Sequence, residues 1–197
     1  MTGGRLTTAT PTLAWQVTPR TRIATAVAVV AVALLTALAA QVRIPLPFTP
    51  VPITGQTFAV VLGGAALGMR AGAASQLLYL ALGAIGLPVF TEASGGWHVF
   101  AGVTGGYLVG FVFAAALVGW LAERRYDRRF VTAVWLFALG SLVIYAVGVP
   151  WLMAVTGFGP VEAVAKGVVP FLVGDLLKIA AAAGLTPAAW RLLGRDD

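Results

Sequence analysis

Residues 166–185 read KGVVPFLVGDLLKIAAAAGL, a run of apolar and small residues interrupted by one aspartate, Asp175, and one lysine, Lys178. In a helix, residues three apart share a face, so the two charges stand side by side. Either charge alone costs about 2.5–3.5 kcal/mol near the middle of a bilayer on insertion scales. Two readings are open. The pair neutralises itself and pins helix packing, or it forms a polar ligand site. An acceptor and a donor side by side suit a group that presents both N–H and C=O, such as a cyclic urea.

Outward from this stretch the chain keeps the same character. Of 197 residues, 59% are hydrophobic and 10% charged, and the mean hydropathy is +0.93, far from the balance of a soluble domain. This is the composition of an integral membrane protein. Apolar runs long enough to span predict helices near 22–41, 55–69, 71–87, 102–122, 131–151 and 166–188, an all-α bundle of six transmembrane helices. The run after Arg20 and Arg22 exceeds a typical signal-peptide core and is kept as the first helix. One transmembrane domain is expected over 21–190. A polar, Thr-rich tail over 1–20 is expected to be mobile, and 191–197 form a short C-terminal tail.

With six spans, Arg5, Arg20, Arg22, Arg70, Arg124, Arg125, Arg128, Arg129, Arg191 and Arg195 fall on one side, and only Arg43 and Lys166 on the other. The positive-inside rule then places both termini in the cytoplasm. The net charge of +6 is therefore a topology signal rather than a nucleic-acid surface. The opposite side holds 43–55, 87–102 and 150–164, rich in proline and aromatic residues; such segments must cap the bundle or line a cavity.

Several chemistries are excluded. There is no cysteine, so disulfides, thiolate metal sites and cysteine nucleophiles are absent. The single histidine, His98, rules out a multi-histidine metal centre, and no GxxxxGK[ST] occurs, so any ATPase must lie on another subunit. Glu92 and Glu162 read as solvated loop carboxylates. Gly102, Gly106 and Gly110, and Gly64, Gly68 and Gly72, are spaced for close helix packing. Ala24, Ala28, Ala33 and Ala37 on the first helix suit packing within the bundle or docking onto another protein.

Three segments in order, PFTPVPITGQTFAVVLGGAALGMRAGAASQLLYLALGAIGLPVF (47–90), SGGWHVFAGVTGGYLVGFVFAAALVGWL (94–121) and PFLVGDLLK (170–178), closely resemble the BioY family. These are the biotin-binding S components of energy-coupling factor (ECF) vitamin transporters. The resemblance implies the ECF S-component fold with both termini inside, and an outward-opening biotin pocket capped by the first and third interhelical loops. It implies that Asp175 and Lys178 hold the ureido end of biotin; Gln56, Tyr79, Ser94 and Tyr107 are further candidates for the wall. It also implies docking of the alanine-spaced first helix, through Ala24, Ala28, Ala33 and Ala37, onto a transmembrane T component driven by two ATPase subunits in a prokaryotic cell membrane. No cofactor is implied in this chain. Two departures stand out: Val103 replaces a proline in GVTGGY, and FTEASGGWHVF (90–100) is more polar and aromatic than the family's loop. Two other functions fit parts of the sequence, a stand-alone ion-coupled carrier with Asp175 as coupling site, and an intramembrane enzyme, for which too few acid-base groups are present.

Overall fold

The computed structural model describes residues 10–194. A short helix α1 (Ala14–Val17) precedes α2 (Arg22–Gln41), whose N-terminus is capped by the Thr21 hydroxyl accepting from the Ala24 N–H. Strands β1 (Arg43–Ile44) and β2 (Ile53–Thr54) pair antiparallel with Arg43 opposite Thr54. The ladder stops there because Pro45, Pro47, Pro50 and Pro52 have no N–H to continue it. There follow α3 (Gln56–Leu67), α4 (Met69–Ala84), a 3-10 turn at Thr91–Ala93, and α5 (Trp97–Ala101). Then come α6 (Gly105–Ala122), α7 (Phe130–Thr156), α8 (Pro160–Gly167), a second 3-10 turn at Val169–Phe171, and α9 (Leu172–Leu192).

Four stretches are long and apolar enough to cross a membrane: Arg22–Gln41, Gly105–Ala122, Phe130–Thr156 and Pro160–Leu192. The pair α3 and α4 are shorter, with 12 and 16 residues. Gly68 alone separates them, in a conformation at φ 84° that a side chain disfavours.

The expected boundaries shift most at the fifth and last helices. The fifth helix runs beyond 151, through Pro150 to Thr156, and ends at left-handed Gly157; neighbouring helices let a proline sit inside such a span. The last helix starts at Leu172 rather than 166, because Pro170 breaks the chain after Lys166, which belongs to α8.

The bundle is built around α6, which lies against α3, α4 and α7. Glycine spacing makes this possible: a Cβ on Gly110 would lie 3.0 Å from the Ile144 Cα, and one on Gly64 would lie 2.7 Å from the Ala115 carbonyl. Gly102 takes no part, standing instead at the end of α5. One core cluster gathers Tyr79, Phe90, Tyr107, Phe111 and Ile144; a second gathers Val61, Val118, Leu136, Phe137 and Ala182. The outward face of α2 shows Ile23, Val27, Leu34 and Leu38 to the surroundings, as a lipid-facing helix does.

The N-terminal tail is not free over its described part. The Thr12 hydroxyl donates to the Ala66 carbonyl at 2.7 Å and the Trp15 indole to the Leu67 carbonyl at 2.9 Å. These are the last carbonyls of α3, left without helical partners by the break at Gly68. Thr10 donates from both N–H and hydroxyl to the Glu123 carbonyl. Residues 1–9 and 195–197, the remainder of the two expected tails, lie outside the described residues.

At the same end the Trp190 indole donates to the buried Asp127 carboxylate at 2.7 Å, fixing α9 to the turn between α6 and α7. Burial pushes the Asp127 carboxyl above its ordinary value, opposed by the Trp190 bond, a backbone bond and nearby Arg128.

Candidate functional site

A cavity of about 330 Å³ opens between the β1–β2 hairpin, the 86–104 segment, the N-terminal parts of α3, α6 and α9, and the middle of α7. Its inner wall carries the pair that opened the sequence reading. On α9, Asp175 and Lys178 turn inward with Ala182, Thr186 and Trp190, while Leu176 and Leu177 are exposed. Both ionised groups therefore avoid the outer surface of the bundle.

Each polar atom of the pair is occupied. Lys178 Nζ donates to Asp175 Oδ1 at 3.2 Å and to Thr57 Oγ1 at 2.9 Å, and the Tyr145 hydroxyl donates a short bond to Asp175 Oδ2. Side-chain exposure is 7% for Asp175 and 20% for Lys178. These hydrogen bonds offset the desolvation of the pair, and two of the three ammonium protons are used in them. Thr57 comes from α3, Tyr145 from α7 and the pair from α9, so three helices meet here. Tyr145 and Thr57 were not singled out in the sequence. The available signal for Tyr145 was a phenol in the middle of an apolar span, FALGSLVIYAVGV.

Among the other sequence candidates, Gln56, Ser94 and Tyr107 also line the cavity. Gln56 accepts from the Thr54 hydroxyl at 2.9 Å and donates to the Tyr79 hydroxyl at 2.7 Å. Tyr79 itself is fully buried behind Gln56 and does not reach the cavity, so its place is that of a support. Tyr107 donates to the Gly167 carbonyl at 3.0 Å, and Ser94 to the Thr91 carbonyl at 2.7 Å.

At the mouth stands a second ion pair, Arg43 with Glu92, both lining the cavity. Glu162 is likewise paired, with Lys166 one helical turn on at 2.8 Å. Neither carboxylate is a lone solvated group. Each has a cation as partner.

The alanine-spaced face of α2 divides. Ala33 is buried at 1% exposure and Ala37 packs against the first core cluster, while Ala24 and Ala28 are half-buried. The four do not form one free face, because Ala33 and Ala37, in the second half of α2, are used inside the bundle. Ala33 serves packing within the bundle, the other use that its spacing allows.

The comparisons agree with this architecture. The biotin transporter BioY of Rhizobium etli is 41% identical over 147 residues, covering 71% of this chain and 78% of that protein. The biotin transporter BioY of Thermotoga maritima is 40% identical over 140 residues, covering 71% and 81%. The crystal structure of the S-component for biotin from an ECF-type ABC transporter superposes with a TM-score of 0.79 at 25% identity, covering 88% of this chain and 94% of the other. The sequence model of the BioY family matches residues 11–195. This chain belongs to the BioY family.

Proposed function

We propose that this protein captures biotin at the outer face of a prokaryotic cell membrane, as the S component of an ATP-driven ECF importer. The observation that carries the reading is the Asp175–Lys178 pair at the inner end of a cavity of about 330 Å³. That volume is in the range of small-molecule sites. The ureido group of biotin presents N–H to an acceptor and C=O to a donor, and Asp175 and Lys178 supply both. The apolar ring and chain then lie against Phe90, Leu108 and Phe111. In relatives with closely similar sequences the transported ligand is named as biotin.

In the same reading α3 and α4 complete six spans, with both termini cytoplasmic as the sequence's cation asymmetry requires. ATP is hydrolysed by partner subunits, since no phosphate-binding loop occurs in this sequence. The T component docks against the exposed stripe of α2 around Ile23, Val27 and the half-buried Ala24 and Ala28.

The test is calorimetric titration of the full chain in detergent with biotin. Saturable binding is expected, and Asp175→Asn or Lys178→Ala is expected to weaken it by about 100-fold or more, the loss typical of truncating a buried charged pair. Absence of saturable binding by the wild-type chain sinks the reading. Uptake into proteoliposomes by the chain alone, abolished by collapsing an ion gradient, would replace the importer with a stand-alone carrier.

A further inference from the structure

Among the described residues two cations line the cavity, Arg43 and Lys178, and two carboxylates face them, Glu92 and Asp175. These four charges cancel, and among the described lining residues a ligand carboxylate meets no cation that lacks a partner. For the carboxylate to meet a cation, one of the two pairs opens. The inner pair is held by Tyr145 and Thr57, with the lysine side chain 20% and the aspartate 7% exposed. The outer pair has no such support, and its side chains are 35% and 60% exposed. Solvated pairs are weak and exchange readily, whereas breaking a buried one strands a charge. A ligand carboxylate therefore exchanges at the mouth.

The backbone at the mouth is built around this pair. Glu92 and Ala93 are consecutive non-glycine residues with left-handed φ, 63° and 50°, a conformation that persists only where neighbours enforce it. The enforcing side chain is Gln41 at the end of α2. It donates to the Phe90 carbonyl and accepts from the Ala93 N–H, each at 3.0 Å. Two residues beyond Gln41, Arg43 is fixed in register by its ladder with Thr54. One helix end thus positions both the guanidinium and the carboxylate that meets it.

We propose that Arg43 is the receptor for the ligand's carboxylate and that Glu92 is its built-in stand-in, holding the guanidinium in the empty cavity and yielding it to a free carboxylate. This rests on the biotin reading, and it adds a specificity rule: the site prefers small monocarboxylates with a urea-like far end over their neutral derivatives. Glu92 sets the size of that preference, because an anionic ligand must displace it and a neutral one need not. When the exchange occurs the Arg43–Glu92 tie between hairpin and loop is released, so the charge swap also reports occupancy at the mouth.

The experiment compares biotin with biotin amide, on wild type, Arg43→Gln and Glu92→Gln, by titration calorimetry of the full chain in detergent. Wild type is expected to favour biotin. Arg43→Gln is expected to weaken biotin severalfold, as the loss of a partly exposed charge pair does, while the amide changes far less, bringing the two affinities together. Glu92→Gln is expected to raise the affinity for biotin severalfold and leave the amide nearly where it was, widening the ratio. Equal loss of both ligands in Arg43→Gln, or no change in either, overturns the proposal. If Arg43→Gln binds nothing, Glu92→Gln decides alone, and an unchanged ratio there overturns it. Wild type binding biotin and amide equally refutes this inference and leaves the biotin reading standing; wild type binding neither refutes both.

Discussion

The two ion pairs of the cavity have the same chemistry and opposite settings. At the inner end Asp175 and Lys178 are largely out of solvent, with a tyrosine and a threonine completing their hydrogen bonds. At the mouth Arg43 and Glu92 are open to water and hold each other alone, apart from the turn that presents them. In the proposed reading the contrast gives them different work. Desolvation makes the inner pair rigid and directional, able to read the donor and acceptor pattern of a neutral polar group. Solvation makes the outer pair labile, suited to exchange with a mobile anion.

The largest effects are expected where that contrast is broken from inside. Asp175→Ala or Lys178→Ala leaves the other charge buried without its partner, which costs about 3–5 kcal/mol and should appear as a marked fall in the thermal unfolding midpoint of the empty protein. Replacing both together, Asp175→Leu with Lys178→Met, should restore most of that stability, since a buried pair exchanged for apolar side chains is often neutral. Biotin binding should stay lost in the double variant. Recovered binding would show that the pair is structural only. A smaller step is Tyr145→Phe, which removes one donor to the aspartate without adding a charge. About 1–2 kcal/mol is expected, near a tenfold loss of biotin affinity, and an unchanged affinity would remove Tyr145 from the site.

Much of the inner region was legible in the sequence, and much of the mouth was not. Asp175 and Lys178 stood out because charge inside an apolar run demands a reason, and helical spacing alone put them on one face. The family motifs then fixed the order of the helices. Tyr145 escaped because a tyrosine raises no such demand; only the approach of α7 to α9 gives its hydroxyl a role. Tyr79 differs in the opposite sense: it is a candidate for the wall in the sequence, and packing places it one layer behind Gln56. Arg43 and Glu92 are 49 residues apart, and nothing local reveals that Gln41 folds the second against the first. Ala33 shared a spacing with Ala24 and Ala28, but spacing does not say which part of a helix the bundle consumes.

A third carboxylate tests whether burial or pairing controls the inner site. Asp127 is as buried as Asp175, yet one of its oxygens, Oδ1, has no hydrogen-bond partner. Its carboxyl is raised by burial above the ordinary 3.8, so the folded state holds the proton more tightly than the unfolded state. Stability from this group is then complete below the unfolded value and declines as pH rises through the window above it, with a slope of at most about 1.4 kcal/mol per pH unit. Asp127→Asn keeps an acceptor for the Trp190 indole and removes the titration. Its unfolding midpoint should exceed wild type at neutral pH and converge with it under acid. A constant offset at every pH would mean that the carboxylate's charge is already compensated.

The smallest effect belongs to Glu162, and it decides how far exposure alone explains the mouth. The Glu162–Lys166 pair is an i,i+4 contact on α8 with side chains 48% and 36% exposed, close to the exposure of Arg43 and Glu92 but outside the cavity lining. Pairs of this kind contribute about 0.3–0.5 kcal/mol, so Glu162→Gln should shift the unfolding midpoint barely and leave the biotin-to-amide ratio untouched. If Glu162→Gln widened that ratio as Glu92→Gln is expected to, the effect would come from the overall negative charge near the opening. The one-to-one exchange at Arg43 would then lose its basis. A silent Glu162 beside a responsive Glu92 ties discrimination to the guanidinium that the ladder with Thr54 and the grip of Gln41 hold at the mouth.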